Sequence, residues 1–346
     1  MALFATAAYV VYRWRASGFS WSEFIAALRQ VDWTWLAVSQ ALILATYVAR
    51  ALRWEVMLRP LRKDPDLWRI FRATAIGFTA VVLFGRAGEP VRPYLIAKEA
   101  GVSFSSQIAA WVVERILDLL MVLVIFGIAL TQVGSSAIQP GPRIRVVLEA
   151  GGFTAGMTGA ACLILLIGLR QFGGNVKERL LEALSFLPEA WINRIHEFLA
   201  AFEEGMQSTR SASFTFLLIA YTVAEWLMVA GAFLCVLWAF PATAHLGVTD
   251  GVILLGFVCF GSVVQLPGVG GGMQIATVLA LTELFGVSFE AASGIALVLW
   301  VITFVVIVPL GLLLAFREGI RWRNLRHLEA AEEEKAGQIQ ARERRE

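Results

Sequence analysis

The stretch Leu83–Leu120, LFGRAGEPVRPYLIAKEAGVSFSSQIAAWVVERILDLL, decides how this chain is read. From Gly85 to Glu99 it sets glycine and proline breakers and five charges into an apolar neighbourhood. From Gln107 to Leu130 the chain is long enough to span a bilayer, yet Glu114, Arg115 and Asp118 stand near the start of that run. Lipid offers no partner to a freed backbone amide or an isolated charge, so a broken helix followed by a charged span is costly. Such a cost points to a site for something charged.

The composition around it is that of a membrane protein. Of 346 residues 58% are hydrophobic and only 16% charged, with a mean hydropathy of +0.70. A soluble domain carries about a quarter charged residues. Several apolar runs reach the roughly 20 residues that a crossing helix needs. The runs are continuous, without the period-2 alternation of barrel strands, so the class is all-α and polytopic. Cys162, Cys235 and Cys259 lie singly in apolar runs, and His196, His245 and His327 are scattered. No metal-ligand spacing or disulfide framework is readable, and the reading includes no cofactor, no metal and no nucleic-acid partner.

In chain order, Met1–Tyr12 reads as the end of a first membrane helix, with the true start expected upstream. A span follows from about Trp33 to Leu52, with Trp33, Trp35 and Trp54 as interfacial anchors. Arg50–Arg72 holds Arg50, Arg53, Arg59, Arg62, Lys63, Arg69 and Arg72, which makes it cytoplasmic by the positive-inside rule. Ala73–Phe84 is apolar for about 12 residues, too short to cross at 1.5 Å per residue, and Pro90 and Pro93 restart the chain, so a hairpin returning to the same side is expected. Spans at Gln107–Leu130 and Gly152–Leu169 come next. Residues 170–212 read as amphipathic helices on the cytoplasmic surface, with Leu180, Leu184, Leu187, Trp191, Ile195, Phe198 and Phe202 at helical spacing. Phe214–Phe240 is a span carrying Glu225. Val252–Leu266 and Met273–Phe285 are two short runs around Pro267-Gly268-Val269-Gly270-Gly271-Gly272. Ala291–Phe316 is the last span, before a charged tail at 317–346.

The two interrupted regions resemble each other. Gly101-Val102-Ser103-Phe104 recurs as Gly286-Val287-Ser288-Phe289, and at the same offset Gly85 falls on Gly270. An internal repeat is expected over roughly 33–130 and 214–316 within a transmembrane domain of residues 1–316. Both basic segments, Arg50–Arg72 and Arg170–Arg210, and the basic tail must share one side. That parity holds if each interrupted region is a re-entrant hairpin, the first entering from the cytoplasm and the second from outside. Opposed related units are the inverted repeats of secondary transporters.

Arg86, Glu89 and Arg92 recur at i, i+3, i+6, on one side of a helical turn. Guanidinium groups bind phosphate bidentately, and Glu89 would hold an arginine between substrates. The alternative is that these charges anchor the hairpin at the headgroup level. Glu114 and Asp118 are spaced i, i+4 with Arg115 between them; they either line a pathway or satisfy one another inside the bundle. Gly85, Gly88 and Pro90 in the first hairpin, and Pro267, Gly268, Gly270, Gly271, Gly272 and Gln274 in the second, shape the path. Glu225 is either a proton carrier or a satisfied helix contact. No nucleophile or metal constellation marks an enzyme.

Gly85-Arg86-Ala87-Gly88-Glu89-Pro90-Val91-Arg92, Val113-Glu114-Arg115-Ile116-Leu117-Asp118 and Pro267-Gly268-Val269-Gly270-Gly271 together resemble the lysylphosphatidylglycerol synthase transmembrane, or flippase-like, domain family. Val31-Asp32-Trp33 and Arg50-Ala51-Leu52-Arg53-Trp54 are similar to it as well. The resemblance covers nearly the whole chain, without the aminoacyl transferase domain of larger members. It implies translocation of a polar or phosphate-headed lipid (a phospholipid, aminoacyl-phospholipid or polyprenyl-phosphate glycolipid) between leaflets of the cell membrane, in a multi-pass protein with a cytoplasmic C-terminus. The implied headgroup-binding residues are Arg86, Glu89, Arg92, Glu114, Arg115 and Asp118. Gln274 stands where the family often has an acid. Two alternatives stay beside this reading: a membrane-embedded enzyme acting on lipid headgroups, and a non-transporting partner of envelope-biosynthesis enzymes such as a glycosyltransferase.

Overall fold

The structure is a computed structural model. It describes residues 19–135, 152, 156–162, 164, 189–205, 212–262, 265–266 and 270–317. The Met1–Tyr12 run, residues 170–188 of the amphipathic segment, much of the Gly152–Leu169 span, Pro267, Gly268 and the tail beyond Arg317 lie outside the described residues.

The described chain is helical except for one short ladder. In order it forms α1 (Trp21–Arg29), α2 (Trp33–Leu58), α3 (Leu67–Phe84), a 3-10 turn (Gly85–Gly88), α4 (Val91–Ala100), α5 (Phe104–Ser135), α6 (Glu189–Gly205), α7 (Ala212–Ala239) and α8 (Val248–Gly261). A two-residue antiparallel ladder then pairs β1 (Gln265–Leu266) with β2 (Gly270–Gly271). The remainder is α9 (Gly272–Phe285), α10 (Phe289–Trp300), a π-helical turn (Val301–Val305) and α11 (Ile307–Arg317). Among the described residues four stretches are long and apolar enough to cross a membrane: Trp33–Leu58, Leu67–Gly88, Ser213–Ala239 and Phe289–Arg317. At 32 residues, α5 has a length of roughly 48 Å and can also cross.

Two boundaries differ from the sequence reading, and both have local causes. The expected span ending at Leu52 runs on to Leu58, because no breaker interrupts it before Pro60. The helix before Gly85 starts at Leu67 rather than Ala73, because the Asp66 carboxylate accepts the Trp68 and Arg69 amides at 2.9 and 3.3 Å and so starts the helix. With 18 residues in α3, this helix is long enough to cross by length and composition.

Local geometry at the two interrupted regions runs in parallel. α4 ends at Gly101 with φ 68°, and α9 ends at Gly286 with φ 65°, a left-handed cap that only glycine adopts without strain. Ser103 and Ser288 then open the following helices, accepting the Ser106 and Ala291 amides at 3.2 and 3.3 Å.

The packing is reciprocal: α3 lies against α11, α8 lies against α5, and α2 pairs with α7 at the centre. Small residues let the backbones approach. A Cβ at Gly256 of α8 would stand 2.8 Å from Ala129 Cβ of α5, and one at Gly311 of α11 would stand 2.7 Å from the Ala75 carbonyl oxygen of α3. Around the α2–α7 pair the core is continuous, including Ile43, Leu218, Val236, Leu254 and Leu281.

Candidate functional site

Inside that core four helices bring seven charged side chains together. On α2, Tyr47, Arg50, Arg53 and Trp54 fall at i, i+3, i+6 and i+7, one face of the helix. The opposite face, with Leu44 and Val48, is exposed and apolar. On α5, Gln107, Glu114 and Asp118 share a face by the same spacing, and α7 turns Thr222 and Glu225 inward. α4 supplies Arg92, which fits because Gly77 of α3 has no side chain: a Cβ there would meet Arg92 Cβ at 2.5 Å.

Arg53 is the hub. Its Nη1 donates to Asp118 Oδ1 at 2.7 Å and to Thr222 Oγ1 at 2.9 Å, and its Nη2 donates to Glu114 Oε1 at 2.5 Å. The same Nη2 lies 3.4 Å from Glu225 Oε2. Arg92 grips Glu114 with both Nη1 and Nη2, and its guanidinium stacks over the Trp54 ring at 4.1 Å. Trp54 is held in turn by Gln107, whose Oε1 accepts its indole N–H at 2.9 Å. Arg115 reaches Asp118 Oδ2 at 3.0 Å and Glu114 Oε1 at 3.5 Å. Arg50 Nε lies 2.8 Å from Glu225 Oε1.

Burial grades the network from closed to open. Glu114, Arg53 and Glu225 are 0%, 1% and 1% exposed, whereas the Arg115 side chain is 39% exposed and Arg50's is 19%. Within ion-pair distance four guanidinium groups (Arg50, Arg53, Arg92, Arg115) face three carboxylates (Glu114, Asp118, Glu225), so 4 − 3 leaves one guanidinium in excess of the paired acids, and Glu89 acts on Arg115 as a further acid from outside that distance. Breaking one partner out of a buried ion pair typically costs about 3–5 kcal/mol, because the other charge is stranded without water.

Among the sequence-read candidates, the structure brings Arg92, Glu114, Arg115 and Asp118 into one network. Arg86 is exposed on the 3-10 turn, and Glu89 is half-buried there. Glu225 is ion-paired with two arginines rather than standing alone. Arg50 and Arg53 correct the reading most. They were counted with a cytoplasmic basic loop, but they lie within α2, and Trp54, expected at the interface, is fully buried between Arg92 and Gln107. The uninterrupted helical period from Trp33 to Pro60 is the signal that locates them.

The positions that the sequence suggests as path-shaping have definite local roles in the backbone. Gly85 turns the chain with φ 64°, Gly88 packs backbone to backbone on Ala80 and Val81, and Pro90 leads into α4. Gly270 and Gly271 form the ladder strand, and Gly272 starts α9. Gln274 Oε1 accepts the Gly271 amide at 2.7 Å, so it caps the helix start without bringing a charge. Among the described residues no three of His, Cys, Asp or Glu are grouped to hold a metal ion.

The chain belongs to the family described as the lysylphosphatidylglycerol synthase TM region, which matches residues 2–311. It is 28% identical over 300 residues to a UPF0104 membrane protein of Methanothermobacter thermautotrophicus, covering 84% of this chain and 85% of that protein. It is also 29% identical over 131 residues to Glycosyltransferase AglD of Haloferax volcanii, covering 38% of this chain and 21% of that protein. No solved structure matches the chain.

Proposed function

We propose that this family member moves a polar lipid with an anionic headgroup between the leaflets of the cell membrane. The observation that carries the proposal is the buried network itself: seven charges at the meeting of α2, α4, α5 and α7, inside helices that otherwise face lipid. Intramembrane charges are costly and commonly mark a pathway. Arg92 and Arg115 receive the headgroup phosphate, with Arg86 at the mouth of the path. Glu114 and Asp118, together with Glu89, balance the guanidinium groups as the lipid passes. Glu225 takes a proton when its arginines turn to the substrate. The parallel caps at Gly101 and Gly286 and the reciprocal packing of α3 on α11 and α8 on α5 support two related units with opposite orientation. The basic segment Arg59–Arg72 supports a cytoplasmic turn after α2, and on this reading the C-terminus lies on the same side.

The test is reconstitution in vesicles carrying fluorescent phosphatidylglycerol or phosphatidylcholine, with dithionite bleaching the outer leaflet. The wild-type chain should bring the anionic lipid out with its mass unchanged, and Glu114→Gln should not. Equal bleaching in protein-free vesicles would refute translocation. A new headgroup mass would mark an enzyme instead.

The likeness to a glycosyltransferase favours a second reading, a non-transporting partner of an envelope glycosyltransferase. Arg115→Ala discriminates, since Arg115 is the network's most open side chain. A scaffold retains its cellular role in this variant, and a translocase loses it.

A further inference from the structure

A cavity of about 160 Å³ lies beside the network, where α2, α3, α7, α8, the start of α9 and the π-helical turn meet. Both chain interruptions converge on it. Val82 lines it just before the Gly85 turn, Ser262 and Met273 flank the glycine-rich ladder, and Thr303 comes from the π-helical turn. The wall is otherwise mostly apolar and aromatic, and among the described residues Arg50 is its sole charged side chain.

Arg50 is only partly committed. Its Nε faces Glu225 Oε1 at 2.8 Å, and its guanidinium lies over the Phe78 ring at 4.3 Å and near the Tyr47 ring at 5.6 Å. Among the described residues its two terminal amino groups have no hydrogen-bond partner. A guanidinium edge of this kind matches a phosphate or carboxylate bidentately, and the dry aromatic wall strengthens the attraction by lowering the local dielectric. A water occupies about 30 Å³ of liquid, so the space has room for an anionic head.

We propose that this cavity is an anion site in which Arg50 takes the phosphate or carboxylate of an amphiphile, and Glu225 is the counter-ion that gives way to it. The assignment of the anion to a lipid rests on the translocation reading above; the site itself does not. Glu225 keeps Arg50 oriented while the cavity is empty, and Arg53 retains Glu225 when the anion arrives.

The test is calorimetric titration of the purified full chain in neutral detergent with dihexanoylphosphatidic acid, dihexanoylphosphatidylcholine and inorganic phosphate. Phosphatidic acid should bind, with phosphatidylcholine weaker because its choline offsets the charge. Arg50→Gln should weaken phosphatidic acid binding at least about tenfold, and Glu225→Gln should tighten it about tenfold by removing the competing carboxylate. Arg50→Gln combined with Glu225→Gln removes the pair together, which protects folding, and should bind as weakly as Arg50→Gln. Wild-type affinity in that double variant would overturn the site. Unchanged affinity in Glu225→Gln would overturn the exchange. Inorganic phosphate binding as tightly as phosphatidic acid would uphold Arg50 as the receptor and overturn the lipid assignment. Phosphatidic acid that binds as expected but never crosses vesicles would uphold the site while refuting translocation.

Discussion

Replacing Glu114 with glutamine tests whether the network is held by charge pairing or merely tolerated. Glu114 is 0% exposed and meets three arginines: Arg53 at 2.5 Å, Arg92 through both terminal nitrogens, and Arg115 at 3.5 Å. Glutamine keeps the shape but removes one carboxylate, so four guanidinium groups face two acids and the buried excess rises from one charge to two. The amide also presents donors where Arg92 presents donors. Stranding a buried charge in this way costs about 3–5 kcal/mol. Adding Arg92→Gln returns the excess to one charge and removes the group that Glu114 held most closely. Removing both partners of a buried pair is often close to neutral, so the double variant should recover most of the loss, less the stacking of Arg92 on Trp54. Unfolding by sodium dodecyl sulfate in mixed micelles, followed by circular dichroism, measures the difference. A single variant within about 1 kcal/mol of wild type would refute the pairing argument. So would a double variant clearly less stable than the single.

Two further substitutions probe the packing that positions the network. Gly311→Ala puts a methyl group inside contact distance of Thr79 Oγ1 and 2.7 Å from the Ala75 carbonyl oxygen, so α3 and α11 must part. The expected cost is about 1–3 kcal/mol in the same unfolding assay, and a neutral outcome would mean the helices can separate freely. Gly101→Ala and Gly286→Ala meet no neighbour within 4 Å, so only the positive φ penalises them. Each should cost about 1 kcal/mol, the two being equal within about 0.5 kcal/mol. Unequal costs would show that the two caps are not equivalent.

Membrane class was legible from composition, because lipid solvation demands continuous apolar runs whatever the fold. The interruptions at Gly85 and Gly270–Gly272 were legible too, since positive φ at Gly85 and Gly271 is a local requirement with a local signature. Arg92, Glu114, Arg115 and Asp118 were found because they interrupt apolar runs. Arg50 and Arg53 were missed because counting basic residues assigns them to a loop, whereas burial depends on where the helix ends. Pro60 was the better guide to that end. Their partner Glu225 sits on a helix far along the chain, and nothing local to either segment encodes the pairing. Arg86, which shares a motif with Arg92, points elsewhere because the 3-10 turn at Gly85–Gly88 breaks the helical spacing between them.

Charge imbalance distinguishes a network built for exchange from one built for stability. A purely structural network gains most when every guanidinium has its own carboxylate, since each unmatched charge bears its full desolvation cost. Here Glu114 serves three arginines and Arg53 serves three acids, so each of these two can release one partner and keep another within 3.5 Å. Shared partners mean that one contact can be released without stranding either charge, which lowers the cost of rearrangement relative to separate pairs. Arg50, with a single carboxylate partner, is also the one that lines the cavity, and it does so where the two chain interruptions meet. If stability alone had set this arrangement, exchanging Arg50 for a neutral side chain together with Glu225 would leave every function of the protein intact. On the proposed reading that pair is where an incoming anion enters the network, and its removal should weaken anion binding at least about tenfold while the fold survives.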